Sequence, residues 1–223
     1  MPLITIVGAG AGLGLEIARA FGREGFAVAL VSRDQAKLDG LAATLGSEGV
    51  TAQGFAADIR DAASITRALD AVVARLGPID VLEFSPADPS LESVDVLEVT
   101  PANLQPQIDF YLGGALTAVG HVLPGMIDAG RGTVLVTTGG GSISPLPFLG
   151  NVNIAAAGLR NWTLNLHAAL ATKGVYVAHV GITALIGGGH PDAAPEVIAR
   201  QYTRLHAERT DAELHHVAYD GQV

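Results

Sequence analysis

Tyr111, in the stretch IDFYLGG, has the most to offer as an acid. Its hydroxyl could face a substrate and donate a proton, or its ring could pack in the core with the hydroxyl paired to backbone. Ser142 and Ser144, in GGGSISP, carry hydroxyls that could steady a substrate oxygen, although serines among glycines also form turns. Asn151 and Asn153 flank Val152 at the head of a helical stretch, where either could bind a carbonyl or cap the helix. His179 sits inside an apolar run and reads as a core histidine. Tyr202 lies on a late helical stretch and could close over a substrate or simply pack. His215 and His216 are adjacent, so their side chains diverge on any regular element, and no metal site is expected.

A second set of residues suits an anion. The run LITIV passes into GAGAGLG and then into LEIARAFGREG, a strand, a turn and a helix. Gly8 permits the tight turn, Gly12 lets backbone approach a pyrophosphate, and Gly14 lets the helix lie against the strand. Gly10, Ala11 and Leu13 complete the expected phosphate loop, whose free N–H groups and helix dipole favour negative charge. The next apolar run ends ALVSRD. Where an NAD site places a carboxylate for the ribose hydroxyls, this chain has Ser32 and then Arg33. A guanidinium there suits a 2′-phosphate, so NADP(H) is favoured over NAD(H), unless Arg33 is a solvated partner of Asp34. Asp58, in AADIRD, could accept from an adenine amino group or cap the helix that starts near Asp61.

These residues need a frame to bring them together. Apolar runs at 3–7, 26–31, 50–55, 79–84, 133–138 and 175–182 alternate with helical periods at 13–24, 34–46, 61–76, 101–128, 152–172 and about 193–208. Continuous Val/Ile/Leu strands joined by crossover helices predict a doubly wound parallel sheet, α/β/α in three layers and one domain over 1–223. Thr100 and Pro101 open a helix well, and Pro106 is expected to distort its first turns. Past Ile182 the pattern weakens into a glycine run and a helix, and 183–210 is expected to form a flap on the substrate side.

Composition sets the outer limits. Of 223 residues 49% are hydrophobic and 16% charged, enough for a large core and too few charges for disorder. A net charge of -9 argues against nucleic acid. The chain has no cysteine, which fits a reducing compartment, and no apolar stretch is expected to reach a membrane span. A cytoplasmic protein is therefore expected.

The spacing Gly8-x-x-x-Gly12-x-Gly14, then ALVSRDQAKL, ADIRD, GPIDVL, HVLPGM and GRGTVLVTT, resembles the short-chain dehydrogenase/reductase family over nearly the whole chain. The resemblance implies a Rossmann-like domain with a seven-stranded parallel sheet. It implies a homodimer or homotetramer packed through two long helices, and oxidoreduction of small alcohols and carbonyls with a nicotinamide cofactor. Carried over residue by residue, it adds Ile59, Ser85, Pro86 and Thr137 to the cofactor contacts.

The family's four catalytic types do not carry over. Its Asn position falls on Tyr111, its Ser on Gly139, its Tyr on Val152 and its Lys on Ala156. No Tyr or Lys occurs between Gly139 and Thr172, so no change of register restores the pair. General acid–base help contributes about 10² to 10⁴ in rate, so its loss needs a substitute. The expected function is an NADP(H)-binding oxidoreductase with a non-standard donor among Tyr111, Ser142, Asn151 and Asn153. The alternative is a non-catalytic NADP(H)-binding sensor or partner subunit, with a non-redox enzyme third.

Overall fold

A computed structural model describes residues 1–219. Its apolar runs form β1 (Leu3–Val7), β2 (Ala27–Ser32), β3 (Ala52–Ala56), β4 (Val81–Phe84), β5 (Gly132–Gly139) and β6 (Val175–Ala184). A seventh strand, β7 (Glu213–Ala218), completes one parallel sheet of order β3-β2-β1-β4-β5-β6-β7. The helices are α1 (Leu13–Arg23), α2 (Gln35–Ser47), α3 (Ala62–Leu76), α4 (Pro101–Ile108), α5 (Gly114–Asp128), α6 (Gly150–Leu170) and α7 (Pro195–Glu208).

Both faces of the sheet are covered, and this explains why its strands read as unbroken apolar runs. Leu3 and Val7 of β1 enter the core under α3, α5 and α6, whereas Ile4 and Ile6 enter the core under α1, α2 and α7. The chain reverses its direction of travel across the sheet between β1 and β4, and a crevice opens there at the carboxyl ends of the strands.

Three expectations change. First, 183–210 is not a flap as a whole. Ile198, Tyr202 and Leu205 of α7 are fully or almost fully buried in the α1-side core, so α7 is the crossover that carries β6 to β7. Only the start of the segment, around Ala184 and Ile186, faces the crevice. Second, the mixed sequence ELHHVA, half exposed at the sheet edge, forms a strand that periodicity does not reveal. Third, Pro101–Asp128 does contain a window long and apolar enough to cross a membrane, with mean hydropathy 1.3. In the fold it lies against the sheet, burying Ala115, Ala118, Val119, Val122 and Met126.

That stretch is also not one regular helix. Pro106 has no N–H to give to the preceding turn, and three residues later the backbone widens into a π-helical turn, Asp109–Gly113, before α5 begins. The turn carries Phe110 and Tyr111, whose rings meet edge to face at 5.1 Å.

Candidate active site

The phosphate end is built by backbone. Gly8 has φ +103, and a Cβ there would stand 2.5 Å from the Pro86 backbone, so both conformation and space require glycine. Its N–H and that of Ala9 donate to the Val31 carbonyl at 2.9 and 3.1 Å, fixing the turn to β2. At Gly14 a Cβ would lie 3.2 Å from Ala9 Cα, so the helix starts hard against the turn. Gly10 and Gly12 face open space, and no side chain caps the start of α1. The Leu15 and Glu16 N–H groups turn back to the Gly10 and Gly12 carbonyls at 3.0 and 3.3 Å, which leaves the N–H groups ahead of them, at the glycine turn, to meet an anion. This cradle fits a pyrophosphate.

Two adjoining cavities extend from it along the strand ends, of about 330 Å³ and 490 Å³, sharing walls at Gly8, Gly10, Pro86 and Ala87. The first lies at the ends of β2 and β3, where Ser32, Arg33, Asp58 and Ile59 line it. The second runs over β4, β5 and β6, lined by Leu13, Ser85, Tyr111, Thr137, Thr138 and Ile182. Of the expected cofactor residues, Ala11 is exposed and does not line either.

Arg33 does not pair with Asp34. Its Nη1 donates to Asp88 Oδ2 at 2.8 Å, a carboxylate that is almost wholly buried and also holds Ser90. Ser90 and Arg33 keep the Asp88 carboxyl below its usual range, so it stays ionised. The guanidinium, half exposed, therefore spans from the end of β2 to the loop after β4 with donors to spare. Asp34 instead caps α2, accepting from Lys37 N–H at 3.1 Å. Asp61 is the cap of α3, which leaves Asp58 facing the cleft.

The reactive end corrects several expectations. Asn151 is fully buried: its Oδ1 accepts from Val94 N–H, and its Nδ2 donates to the Glu92 and Asn103 carbonyls, both at 3.0 Å. It clamps the 92–103 segment over α6 rather than facing substrate. Asn153 donates to the Leu146 carbonyl at 2.8 Å, and α6 begins at Gly150, so neither asparagine is its cap. Ser142 is buried, and its Oγ lies 2.8 Å from Thr138 Oγ1. None of the three lines the cleft.

Tyr111 does line it, and its hydroxyl makes no hydrogen bond among the described residues. Burial, with no cation beside it, raises its pKa above the ordinary value, which is opposite to the shift a proton donor needs. It can donate a hydrogen bond but is a poor acid.

His179 and Tyr202 are core residues, one of the readings the sequence offered for each, but the bonds that join the polar groups beneath the cleft were not legible. Thr138 Oγ1 lies 2.8 Å from His179 Nε2, and His179 Nδ1 lies 3.0 Å from Glu213 Oε1, a carboxylate paired with Arg160. Burial lowers His179 to about 4, so it is neutral at pH 7 and its Nδ1–H donates to Glu213. Tyr202, fully buried, meets Thr137 Oγ1 at 2.7 Å, and Thr137 in turn donates to Glu83 Oε1 at 3.0 Å. Glu83 is the surprise. It is fully buried in β4, also bonded to Ser85 Oγ at 2.8 Å, and desolvation raises its pKa from 4.5 to about 8. The signal was one acid in the otherwise apolar strand VLEF.

Residues 2–185 match the family model described as short chain dehydrogenase. The chain is 30% identical over 208 residues to 2-(S)-hydroxypropyl-CoM dehydrogenase 3 of Xanthobacter autotrophicus, covering 91% of this chain and 81% of that protein. It is 32% identical over 130 residues to D-threitol dehydrogenase of Mycolicibacterium smegmatis, covering 58% of this chain and about half, 49%, of that one. Among solved structures, the actinorhodin polyketide ketoreductase with NADPH superposes at TM-score 0.87 with 24% identity, over 97% of this chain and 95% of that one. The family-model match over residues 2–185, with the 30% identity to the Xanthobacter dehydrogenase, shows that the chain belongs to the short-chain dehydrogenase family.

Proposed function

We propose that the protein is an NADP(H)-dependent oxidoreductase acting on a small carbonyl or alcohol, with a donor other than the family's tyrosine. One observation carries the reading: a continuous cleft joins an uncapped helix start at Gly12 to an arginine at one end and a group of hydroxyls at the other. The Gly8–Gly14 turn would hold the pyrophosphate, and Asp58 and Ile59 would flank the adenine. Arg33, with Ser32 in place of an acid, supports NADP(H) over NAD(H). When bound, the nucleotide supplies or accepts a hydride. Tyr111 would orient the substrate oxygen by donating a hydrogen bond to it.

Leu116 on α5 and Ile154 on α6 are each 48% exposed, which supports a homodimer or homotetramer built on those helices. A chain without cysteine suits the reducing cytoplasm. Calorimetric titration with NADPH and with NADH tests the reading, followed by NADPH consumption over a panel of aldehydes, ketones and dicarbonyls. The expected result is preferential NADPH binding and turnover of some of the panel. Binding without turnover would instead favour a nucleotide-responsive binding protein, a reading that the internal bonding of Ser142, Asn151 and Asn153 already supports.

A further inference from the structure

Glu83 is a carboxyl in the middle of a core. Ile6 of β1 and Leu135 of β5 stand beside it in register, and both belong to the apolar cluster under α1 and α7. Among the described residues no Lys, Arg or His forms an ion pair with it. The titratable group nearest to it from α7 is Tyr202, which reaches it through Thr137. An unpaired carboxylate at such a place is costly, so the side chain keeps its proton at neutral pH.

The two hydroxyls on Glu83 are not equivalent. Thr137 gives its one proton to Glu83 Oε1 and its oxygen meets the Tyr202 hydroxyl, so that side is closed. Among the described residues Ser85 Oγ has Glu83 as its only side-chain partner, and Ser85 lines the cleft. With Glu83 protonated, its carboxyl O–H at Oε2 can donate to Ser85 Oγ, and the Ser85 proton is then free to point at a ligand.

We propose that Ser85 is the residue that protonates the substrate oxygen, and that Glu83 is the proton store behind it. The inference rests on the reductase reading above. In the step, the carbonyl carbon gains the hydride pair that the bound nucleotide supplies, and the C=O π pair moves to oxygen. That oxygen takes the Ser85 Oγ proton, and Ser85 takes the proton of Glu83. The substrate is reduced, the nucleotide oxidised, and the Glu83 carboxylate recovers a proton from water through Ser85 when the product leaves. A neutral carboxyl buried beneath the cleft thus takes the part that a paired tyrosine and lysine play in the family.

The test has one arm without turnover and one with it. In ligand-free protein carrying ¹³C-labelled glutamate, one carboxyl resonance should titrate near pH 8, vanish in Glu83→Gln, and move to higher pH in Ser85→Ala, which removes a bond to the carboxylate. With NADPH and a carbonyl of the panel that the wild type reduces, Glu83→Gln and Ser85→Ala should each lose about 100-fold in kcat, with NADPH affinity held within twofold in Glu83→Gln. Ser85→Thr, which keeps the hydroxyl, should retain most of the rate. The wild-type kcat should fall as pH rises through about 8, and that fall should be absent in Glu83→Gln. Unchanged kcat in either variant, or a Glu83 resonance that titrates below pH 6, overturns the relay while leaving the reductase reading intact. Wild-type protein that binds no NADPH, or binds it and reduces no member of the carbonyl panel, overturns both.

Discussion

Replacing Glu83 by glutamine should change the pH dependence of stability in a calculable way. The amide keeps the shape and the bonds: its oxygen accepts from Thr137 and its NH₂ donates to Ser85. It removes only the ionisation. In the native protein Glu83 titrates at about 8 rather than 4.5, because burial penalises the charged form. Between those values the native state holds a proton that the unfolded chain has released. The stability Glu83 contributes is therefore complete below about pH 4.5 and is lost as pH rises through 8. At about 1.4 kcal/mol per tenfold, the whole excursion is worth roughly 4–5 kcal/mol. Most of it, roughly 3 kcal/mol, falls between pH 5.5 and 8. At about 2–4 °C per kcal/mol for a chain of this size, the Tm of Glu83→Gln relative to wild type should rise by roughly 6–12 °C over that range. Other carboxyls and histidines titrate in both proteins and cancel in the difference. Thermal unfolding of the pair at half-unit pH steps makes the measurement. A difference in Tm that stays flat from pH 5.5 to 8 would show that Glu83 is ionised in the fold and would refute the assignment of a neutral buried acid.

Arg33→Ala should weaken NADPH binding about tenfold and leave NADH binding unchanged, since the arginine is half exposed and its phosphate bond is worth the lower part of about 1.5–3 kcal/mol. Calorimetry decides it, and equal losses for both nucleotides would remove the 2′-phosphate role. Asn151→Ala should cost roughly 2–4 kcal/mol in urea unfolding, because it leaves the Glu92 and Asn103 carbonyls and the Val94 N–H without their buried partner. A loss under about 0.5 kcal/mol would mean that the 92–103 segment holds without the clamp. Thr5→Val should be neutral or stabilising by about 1 kcal/mol, since Thr5 Oγ1 is buried with no partner among the described residues and valine has nearly the same shape. Clear destabilisation in the same assay would reveal a partner for that hydroxyl.

The order of strands and helices was legible in the sequence, because each strand buried on both faces must be apolar throughout and each crossover helix must show a periodic apolar face. LITIV followed by GAGAGLG and a helix is such a local pattern, and the structure adds only why Gly8 is obligatory: the Pro86 backbone crosses it at a distance no Cβ would survive. β7 was hidden because an edge strand half open to solvent can carry ELHHVA without an apolar signature. Asn151, Asn153 and Ser142 misled for a related reason. A polar side chain near a helix start has the same letter whether it faces substrate or clamps a distant loop, and only the approach of the 92–103 and 140–146 segments decides which.

By itself, then, the sequence determined the parallel sheet, the phosphate turn and the lack of a Tyr-x-x-x-Lys pair, all properties of residues close along the chain. The tertiary structure alone decided that Arg33 reaches Asp88, that α7 seals the core instead of the cleft, and that Glu83 meets Ser85 and Thr137 beneath it. Whether an acid is a solvated charge or a stored proton depends on what surrounds it. For Glu83 those surroundings come from β1, β5 and α7, which only folding brings together.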